Sequence, residues 1–204
     1  MKKFVKNKVA ALIPAAGESS RMKTPKPFLK FDKERVFIEK IVDEFIAFGC
    51  QEIAVIVNEK IYQECSKLIQ KKSPSIKIIL NDRLDLERFY SIKLGLISLT
   101  NSDFCFIQNC DNPFINQEIL QAIYKDKSLE NYIQPTYKSR GGHPILLPKF
   151  ISTKITQSKE NDSNFKDILS HFPTKKVELD FENILLNINT NAEYQRISKF
   201  LNLN

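Results

Sequence analysis

The chain has 204 residues, of which 42% are apolar, and it carries a formal net charge of +7. This size suits one large domain or two small ones, and because the sequence shows no repeat and no convincing linker, we predict a single domain over residues 1–204. No apolar run approaches the roughly 18 residues of a membrane span. No apolar segment of the signal-peptide kind follows the basic start either, so we expect no membrane partner. The lysines are scattered rather than clustered, which disfavours a nucleic-acid groove and leaves small polyanions as candidate ligands.

The cysteines and histidines predict no metal centre of their own. The four cysteines show no CxxC spacing, and the two histidines lie far from them in the sequence, so the pattern required for a zinc site is absent. Reduced cysteines are typical of a cytoplasmic enzyme, and we expect a cytoplasmic location.

The first half of the chain alternates strands and helices. Apolar runs and helical stripes predict, in chain order, a strand at 9–13, a helix at 36–48 with Gly49 as its C-cap, a strand at 53–57, a helix at 59–70, a strand at 76–80, a helix at 90–99 and a strand at 104–107. Fully apolar strands separated by helices indicate the α/β class. We therefore predict a Rossmann-like, mostly parallel sheet with helices on both faces, in three α/β/α layers.

The second half of the chain is less regular. Its patterns predict strand segments at Ile133 and 144–147 around a turn at Gly141-Gly142, a short helix at 165–170, late strands at 176–179 and 184–188, and a helix at 190–201. Either Asn189 or Thr190 could cap this last helix.

Polar clusters follow three of the predicted strands. They are the loop after the first strand, Asn81-Asp82 after the third, and residues 108–113 after the fourth. Ligands of open parallel sheets bind at the carboxyl ends of strands. The three clusters therefore predict one site at this edge of the sheet.

The loop after the first strand has the composition of a phosphate site. Its small residues would let backbone N–H groups close around a phosphate, and Arg21 and Lys26 could neutralise a triphosphate. Its spacing matches neither the P-loop nor GxGxxG. An ordinary loop with two basic residues therefore remains an alternative.

Asp111 follows the fourth strand directly. A hard divalent cation prefers carboxylate and phosphate oxygens, and an aspartate fixed by the nearby Pro113 suits that role. The structural alternative is an N-cap or Asx-turn for a helix starting at Asn116.

Several segments, in this order, resemble the MobA-like nucleotidyltransferases, the molybdenum cofactor guanylyl- and cytidylyltransferases. The matching segments are Ala15-Ala16-Gly17, Ser19, Arg21-Met22, Lys26, Phe28-Leu29, Ser91-Ile92-Lys93-x-Gly95-Leu96, Asp111-Asn112-Pro113, Arg140-Gly141-Gly142-His143-Pro144 and residues 187–194. The segment 25–29 also resembles the sugar-nucleotide and methylerythritol cytidylyltransferases. Lys23 departs from the pattern, because family members usually carry a glycine there.

The resemblance implies a nucleotide-diphospho-sugar transferase-like fold and a set of site residues. The catalytic residues would be Arg21, Lys26 and Asp111, and Mg²⁺ would bind Asp111 and Asn189. The residues that bind the nucleotide would be Ala15, Ala16, Gly17, Ser19, Ser20, Asn81 and Ser91. Gly142 and His143 would lie near the acceptor. Asn189 could instead be a plain N-cap, and His143 could be structural.

The implied reaction transfers a nucleoside monophosphate from a nucleoside triphosphate to a small phosphorylated acceptor such as molybdopterin, releasing pyrophosphate. CTP or GTP is the favoured donor. A sugar, polyol or alcohol phosphate is an alternative acceptor. The neutral Asn189 and the departure at Lys23 also leave open a non-catalytic nucleotide-binding accessory protein. A nucleic-acid-binding module is the weakest alternative, and the oligomeric state is not predicted.

Overall fold

The computed structural model describes residues 7–159 and 161–201. The strands of these residues are β1 (Val9–Pro14), β2 (Glu52–Val57), β3 (Ile76–Leu80), β4 (Phe104–Ile107), β5 (Tyr132–Tyr137), β6 (Arg140–Gly141), β7 (Ile145–Pro148) and β8 (Thr174–Glu178). The α-helices are α1 (Phe37–Phe48), α2 (Glu59–Ile69), α3 (Glu87–Ser98), α4 (Gln117–Lys125), α5 (Lys149–Gln157), α6 (Phe165–Ser170) and α7 (Asn191–Phe200). Short 3-10 helices cover Lys26–Phe28, Leu84–Leu86 and Glu182–Leu185.

The strands form one eight-stranded sheet with the order β3-β2-β1-β4-β7-β5-β6, and β8 pairs with β5. The strands β3, β2, β1 and β4 are parallel, whereas β7 runs antiparallel to both β4 and β5. The chain moves outward from β1 to β3 and then returns to place β4 on the other side of β1. The β1–β4 boundary is therefore the switch point of the sheet, where a crevice opens beyond the carboxyl ends of the strands.

Helices cover both faces of the sheet, because the side chains of each strand alternate between two cores. Ile13 and Phe106 face the layer of α1, α2 and α4, where Phe106 packs on Phe45 with ring centroids 5.8 Å apart. Leu12 and Ile56 face the layer of α3, α5 and α6. The predicted three-layer, mostly parallel α/β fold is confirmed. Among the described residues, no helix has the length and apolar character needed to cross a membrane.

The structure corrects two predictions in the second half of the chain. The hairpin between β5 and β6 turns at Lys138 and Ser139, which adopt the left-handed φ values of 48° and 64°, and Gly141 lies in β6. Residues 184–188 are not a strand. The Ile184 and Leu186 N–H groups instead bond to Phe181 and Asn183 in local turns.

The helix α5 was not predicted, because Pro148 and Lys149 offer no side-chain cap. The helix is held instead by burial of Ile151 and Ile155 against the second core. All four cysteines are buried and free of disulfides, as expected for reduced residues. Burial raises the pKa of the Cys50 and Cys65 thiols to about 12.

Candidate active site

A cleft of about 370 Å³ opens at the switch point of the sheet. It gathers residues from the loop after β1, from the segment between β3 and α3, from the loop after β4 and from the start of the C-terminal region. Its lining includes Ala15, Ala16, Gly17, Ser19, Ser20, Arg21, Lys26, Asn81, Ser91, Asp111 and Asn189. All residues predicted to bind the nucleotide or the metal, or to catalyse the reaction, therefore line one cleft. The two residues predicted to lie near the acceptor do not.

The loop after β1 is anchored at both ends. The Ala15 N–H donates to the Ile56 carbonyl at 2.8 Å, and the Asn58 side-chain amide donates to the Ala16 carbonyl at 2.9 Å. At Ser19 the chain adopts a positive φ of 53°, and the Ser19 hydroxyl accepts the Lys26 N–H at 3.2 Å. Gly17 is exposed between these anchors. The loop is thus preformed and leaves backbone N–H groups available to an anion.

Lys26 is held in place by its neighbours in the sequence. It begins a 3-10 helix between Pro25 and the buried Pro27, and prolines restrict the backbone to few conformations. Its ammonium donates to the Asp111 Oδ2 at 3.0 Å and to the Asn189 Oδ1 at 2.8 Å. One cation therefore joins the loop after β1, the loop after β4 and the chain before α7.

A backbone hydrogen bond and a capping box place Asn189 beside Asp111. The Ile188 N–H donates to the Asp111 carbonyl at 2.8 Å. The Glu193 carboxylate accepts the Asn189 and Thr190 N–H groups at 2.7 and 2.9 Å, and the Thr190 side chain caps α7. These backbone donors lower the pKa of Glu193. Because Thr190 is the cap, the side chain of Asn189 is left to face the cleft.

Asp111 is not a helix cap either. Asn116 caps α4 by accepting the Ile119 N–H at 2.8 Å. The neighbouring Asn112 is buried and binds the Ile184 carbonyl at 2.9 Å, which ties the loop after β4 to the segment before α7. The Asp111 carboxylate therefore points to the cleft because the residues around it supply the caps and anchors.

The carboxylate fits a divalent cation. The Asp111 Oδ1 is buried, and no hydrogen-bond partner for it exists among the described residues. The described residues contain no group of three or more His, Cys, Asp or Glu side chains that could hold a metal unaided. Mg²⁺ characteristically takes one or two carboxylates and completes its octahedron with phosphate oxygens and water. Asp111 and Asn189 suit a cation that arrives with a polyphosphate.

Asn81 and Ser91 form another part of the cleft wall. The Asn81 amide donates to the Ser91 hydroxyl at 2.8 Å, and its carbonyl oxygen accepts the Arg83 N–H at 2.8 Å. Both side chains are buried. Their hydrogen bond holds the segment between β3 and α3 in place at the carboxyl end of β3.

The cleft lining also includes Asn109 and Cys110, which lie in the predicted polar cluster 108–113, and Arg88, which was not predicted from the sequence. The Arg88 guanidinium donates to the Asn109 side-chain oxygen. Desolvation lowers the pKa of Arg88, and the negative charge of Asp111 opposes this effect. Arg88 lies three residues before Ser91, a spacing that puts both on one face of a helix. This spacing from Ser91 was the sequence signal that could have identified Arg88 as a residue of the cleft.

Gly142 and His143 lie beside the carboxyl end of β4, outside the lining of the cleft. The Gly142 N–H donates to the Pro135 carbonyl, and the His143 N–H to the Ile184 carbonyl. The His143 Nδ1 is buried and unpartnered among the described residues. Burial lowers the pKa of His143 to about 4, and the charge of Arg88 adds to this effect. A neutral His143 cannot serve as a cation for an acceptor phosphate at neutral pH.

Replacing Gly142 with alanine is expected to destabilise the fold. A Cβ at this position would lie 2.7 Å from the Ile184 carbonyl oxygen, so the backbone of the 3-10 helix would have to move. Overpacking of this kind costs about 1–3 kcal/mol in the free energy of unfolding, which denaturant titration would measure. Gly17→Ala is the control, since a Cβ there meets nothing within 4 Å. Equal stability of the two variants would contradict the packing role of Gly142.

The free energy of unfolding should decrease as the pH is lowered, because His143 titrates differently in the native and unfolded states. The native state keeps this imidazole neutral down to about pH 4, whereas an unfolded chain binds the proton near pH 6.5. Between these values the unfolded state binds more protons, so the free energy of unfolding decreases as the pH falls. Denaturant titrations at about pH 7.5 and about pH 5 should show a smaller decrease in the free energy of unfolding for His143→Gln than for the wild type. His171→Gln, at an exposed site, should leave the decrease unchanged, and the same result for both variants would contradict this assignment.

Comparisons with known proteins show which family the chain resembles in sequence. The family model described as MobA-like NTP transferase domain matches residues 11–177. A probable molybdenum cofactor guanylyltransferase of Clostridium perfringens is 29% identical over 201 residues, which cover 92% of this chain and 95% of the relative. A 2-C-methyl-D-erythritol 4-phosphate cytidylyltransferase of Fusobacterium nucleatum is 27% identical over 123 residues, 59% of this chain and 53% of the relative.

The fold is shared with solved nucleotidyltransferase structures. A nucleotidyl transferase from Methanothermobacter superposes with a TM-score of 0.79 at 19% identity, covering 98% of this chain and 100% of that chain. The chain therefore shares the overall fold of this nucleotidyl transferase.

Proposed function

Since the chain belongs to the MobA-like NTP transferase family, we propose that it transfers a nucleoside monophosphate from CTP or GTP to a phosphorylated acceptor, with release of pyrophosphate. Molybdopterin is the acceptor we favour, because a relative that aligns over 92% of the chain is named as a molybdenum cofactor guanylyltransferase. The observation that carries the proposal is the meeting of Lys26, Asp111 and Asn189 in one cleft beside the loop after β1.

The cleft supplies the contacts that phosphoryl-type transfer needs. Backbone N–H groups of residues 16–20 cradle the triphosphate, and Arg21 holds its β- and γ-phosphates. The Ala15 N–H, which we predicted to join them, is instead taken by the Ile56 carbonyl. Lys26 stabilises the charge that develops on the α-phosphate. Asp111 and Asn189 would hold Mg²⁺, which would neutralise phosphate charge when bound. Catalysis of this class depends on positioning and charge neutralisation.

No covalent intermediate with the protein is required. An acceptor phosphate is already ionised at neutral pH, so it can attack the α-phosphorus without a general base. None of the described residues that line the cleft is a histidine. Cys110 lies in the wall, but burial raises its pKa, which keeps the thiol protonated and unreactive.

A second candidate acceptor is a sugar, polyol or alcohol phosphate. This alternative is supported by the similarity to the methylerythritol phosphate cytidylyltransferase, although the aligned part spans about half of that relative. A nucleotide-binding accessory protein without turnover is the third possibility. We expect the protein to act in the cytoplasm on small molecules rather than on nucleic acid.

A thermal-shift screen of CTP, GTP, UTP, TTP and ATP with Mg²⁺ tests the nucleotide preference, because a ligand that binds only the folded state raises the melting temperature. Pyrophosphate release is then measured with the selected nucleotide and a panel of acceptors that includes molybdopterin and methylerythritol phosphate. Release with one acceptor class identifies the reaction. Nucleotide binding without turnover across the panel would favour the accessory protein, and no binding of any triphosphate would overturn the proposal.

A further inference from the structure

Lys26 lies where a metal ion would bind. Its ammonium donates to the Asp111 Oδ2 and to the Asn189 Oδ1, at 3.0 and 2.8 Å. These are oxygens of the two side chains that suit a divalent cation in this cleft. A metal ion bound to the same two oxygens would lie close to the ammonium, and the two positive charges would repel each other. The side chain and the metal therefore compete for one position.

We propose that the Lys26 ammonium holds the cation position in the nucleotide-free protein, and that an incoming triphosphate opens this position by drawing Lys26 away. The inference rests on the proposed function for the identity of the polyphosphate. It implies that nucleotide and metal bind with positive coupling, and that the free protein is protected from binding a metal without a nucleotide.

The environment favours Lys26 over a bare metal ion. The side chains of Lys26 and Asp111 are only 17% and 22% exposed, so solvent weakens their attraction less than at an open surface. A metal that arrives alone would find the unpartnered Asp111 Oδ1 but no cluster of three acidic, histidine or cysteine ligands in the described part of the chain. With so few protein ligands, it would have to displace the ammonium without compensation from phosphate oxygens.

The geometry also gives a triphosphate the means to move Lys26. The backbone at Lys26 is fixed by its flanking prolines and by the hydrogen bond to the Ser19 hydroxyl. The four-carbon stem is flexible, however, and the ammonium can rotate away while the backbone stays in place. The predicted phosphate loop lies beside it in the same cleft. A triphosphate offers several negative charges in place of the single carboxylate and brings the oxygens that complete a metal site.

The first test uses Mn²⁺ alone, without nucleotide, with free ion measured by electron paramagnetic resonance. Lys26→Met keeps the side-chain length without the charge, and it should bind Mn²⁺ at least about 10-fold more tightly than the wild type. Lys26→Met combined with Asp111→Asn should lose this gain. Lys23→Met is the matched control, because Lys23 is an exposed lysine of the same loop outside the cleft lining. Equal Mn²⁺ affinity of the wild type and Lys26→Met would overturn the proposal.

The second test leaves Lys26 intact and uses inorganic tripolyphosphate in EDTA. If the ion pair must break for the polyphosphate to bind, Asp111→Asn should bind the probe several-fold more tightly than the wild type. Glu18→Gln removes another carboxylate from the cleft lining and controls for general charge repulsion. If Asp111→Asn and Glu18→Gln gained the same affinity for tripolyphosphate, the proposed displacement of Lys26 by a polyphosphate would be wrong. Neither test needs a nucleotide base or an acceptor, so the transferase reaction could fail while the proposal on Lys26 stands.

Discussion

Replacing Lys26 with alanine is expected to lower turnover by about 100-fold or more, the usual effect of losing one preorganised electrostatic contact to a transition state. The 3-10 helix and the flanking prolines aim this side chain into the cleft, where it would meet the α-phosphate. The loss should appear in kcat as well as in kcat/KM, because the charge on this phosphate grows only during the transfer. Initial rates of pyrophosphate release over a range of nucleotide concentrations would measure it.

The proposed competition between Lys26 and the metal also predicts which step fails in the Lys26→Ala variant. Lys26→Ala removes the competitor for Asp111 and Asn189, so metal binding should not be the step that fails. A variant that binds Mn²⁺ well and still turns over slowly would locate the defect in the transfer step. Lys23→Ala should retain the wild-type rate. Near-wild-type turnover of Lys26→Ala would remove Lys26 from the mechanism.

The first half of the fold was predictable because its signals are local. Runs such as residues 53–57 are too apolar for a half-exposed strand, and their alternation with helical stripes requires a sheet covered on both faces. The strand Phe104–Ile107 was predicted with the bounds that the structure has. The switch point follows from the strand order, and it explains why polar clusters distant in sequence line one cleft.

The second half depends on contacts that no local pattern encodes. Ile184 and Ile188 are both buried, and β-branched residues favour strands. The carbonyls of residues 183 and 184 instead accept hydrogen bonds from the Asn112 side chain, and residue 184 also accepts the His143 N–H. Hydrogen bonds from Asn112 and His143 therefore take the place of the inter-strand hydrogen bonds that a strand would form. The left-handed turn at Lys138 and Ser139 likewise occurs beside glycines that the sequence offered as the obvious turn residues.

The candidate site likewise combines features that local sequence patterns predict with features that depend on tertiary contacts. Asn189 and Thr190 are both good N-caps, so the sequence could not decide which one caps the helix and which faces the cleft. The capping box between Thr190 and Glu193 decides it. Asn58 anchors the predicted phosphate loop by a contact 42 residues away in sequence. Its position at the end of a predicted strand was the only local hint of this role.

Replacing Asp111 should be as costly as replacing Lys26, but for a different reason. Asp111→Asn keeps the size of the side chain and an oxygen for the Lys26 ammonium, yet it removes the negative charge that a divalent cation needs. We expect turnover to fall by about 100-fold or more, and we expect the tightened Mn²⁺ binding of Lys26→Met to disappear in the double variant. Rates at increasing Mg²⁺ concentration measure the effect, since saturating metal should recover part of the loss if Asp111 binds the ion.

Glu18→Gln is the matched control for Asp111→Asn, because it removes a carboxylate from the same cleft without touching Lys26 or Asn189. Its rate and its dependence on Mg²⁺ should stay close to those of the wild type. If Asp111→Asn loses turnover with no change in its Mg²⁺ dependence, the carboxylate acts by orienting Lys26 and not by holding the metal. If Asp111→Asn retains the wild-type rate, the reaction centre does not lie at the end of β4, because the switch-point crevice would then work without its central charge.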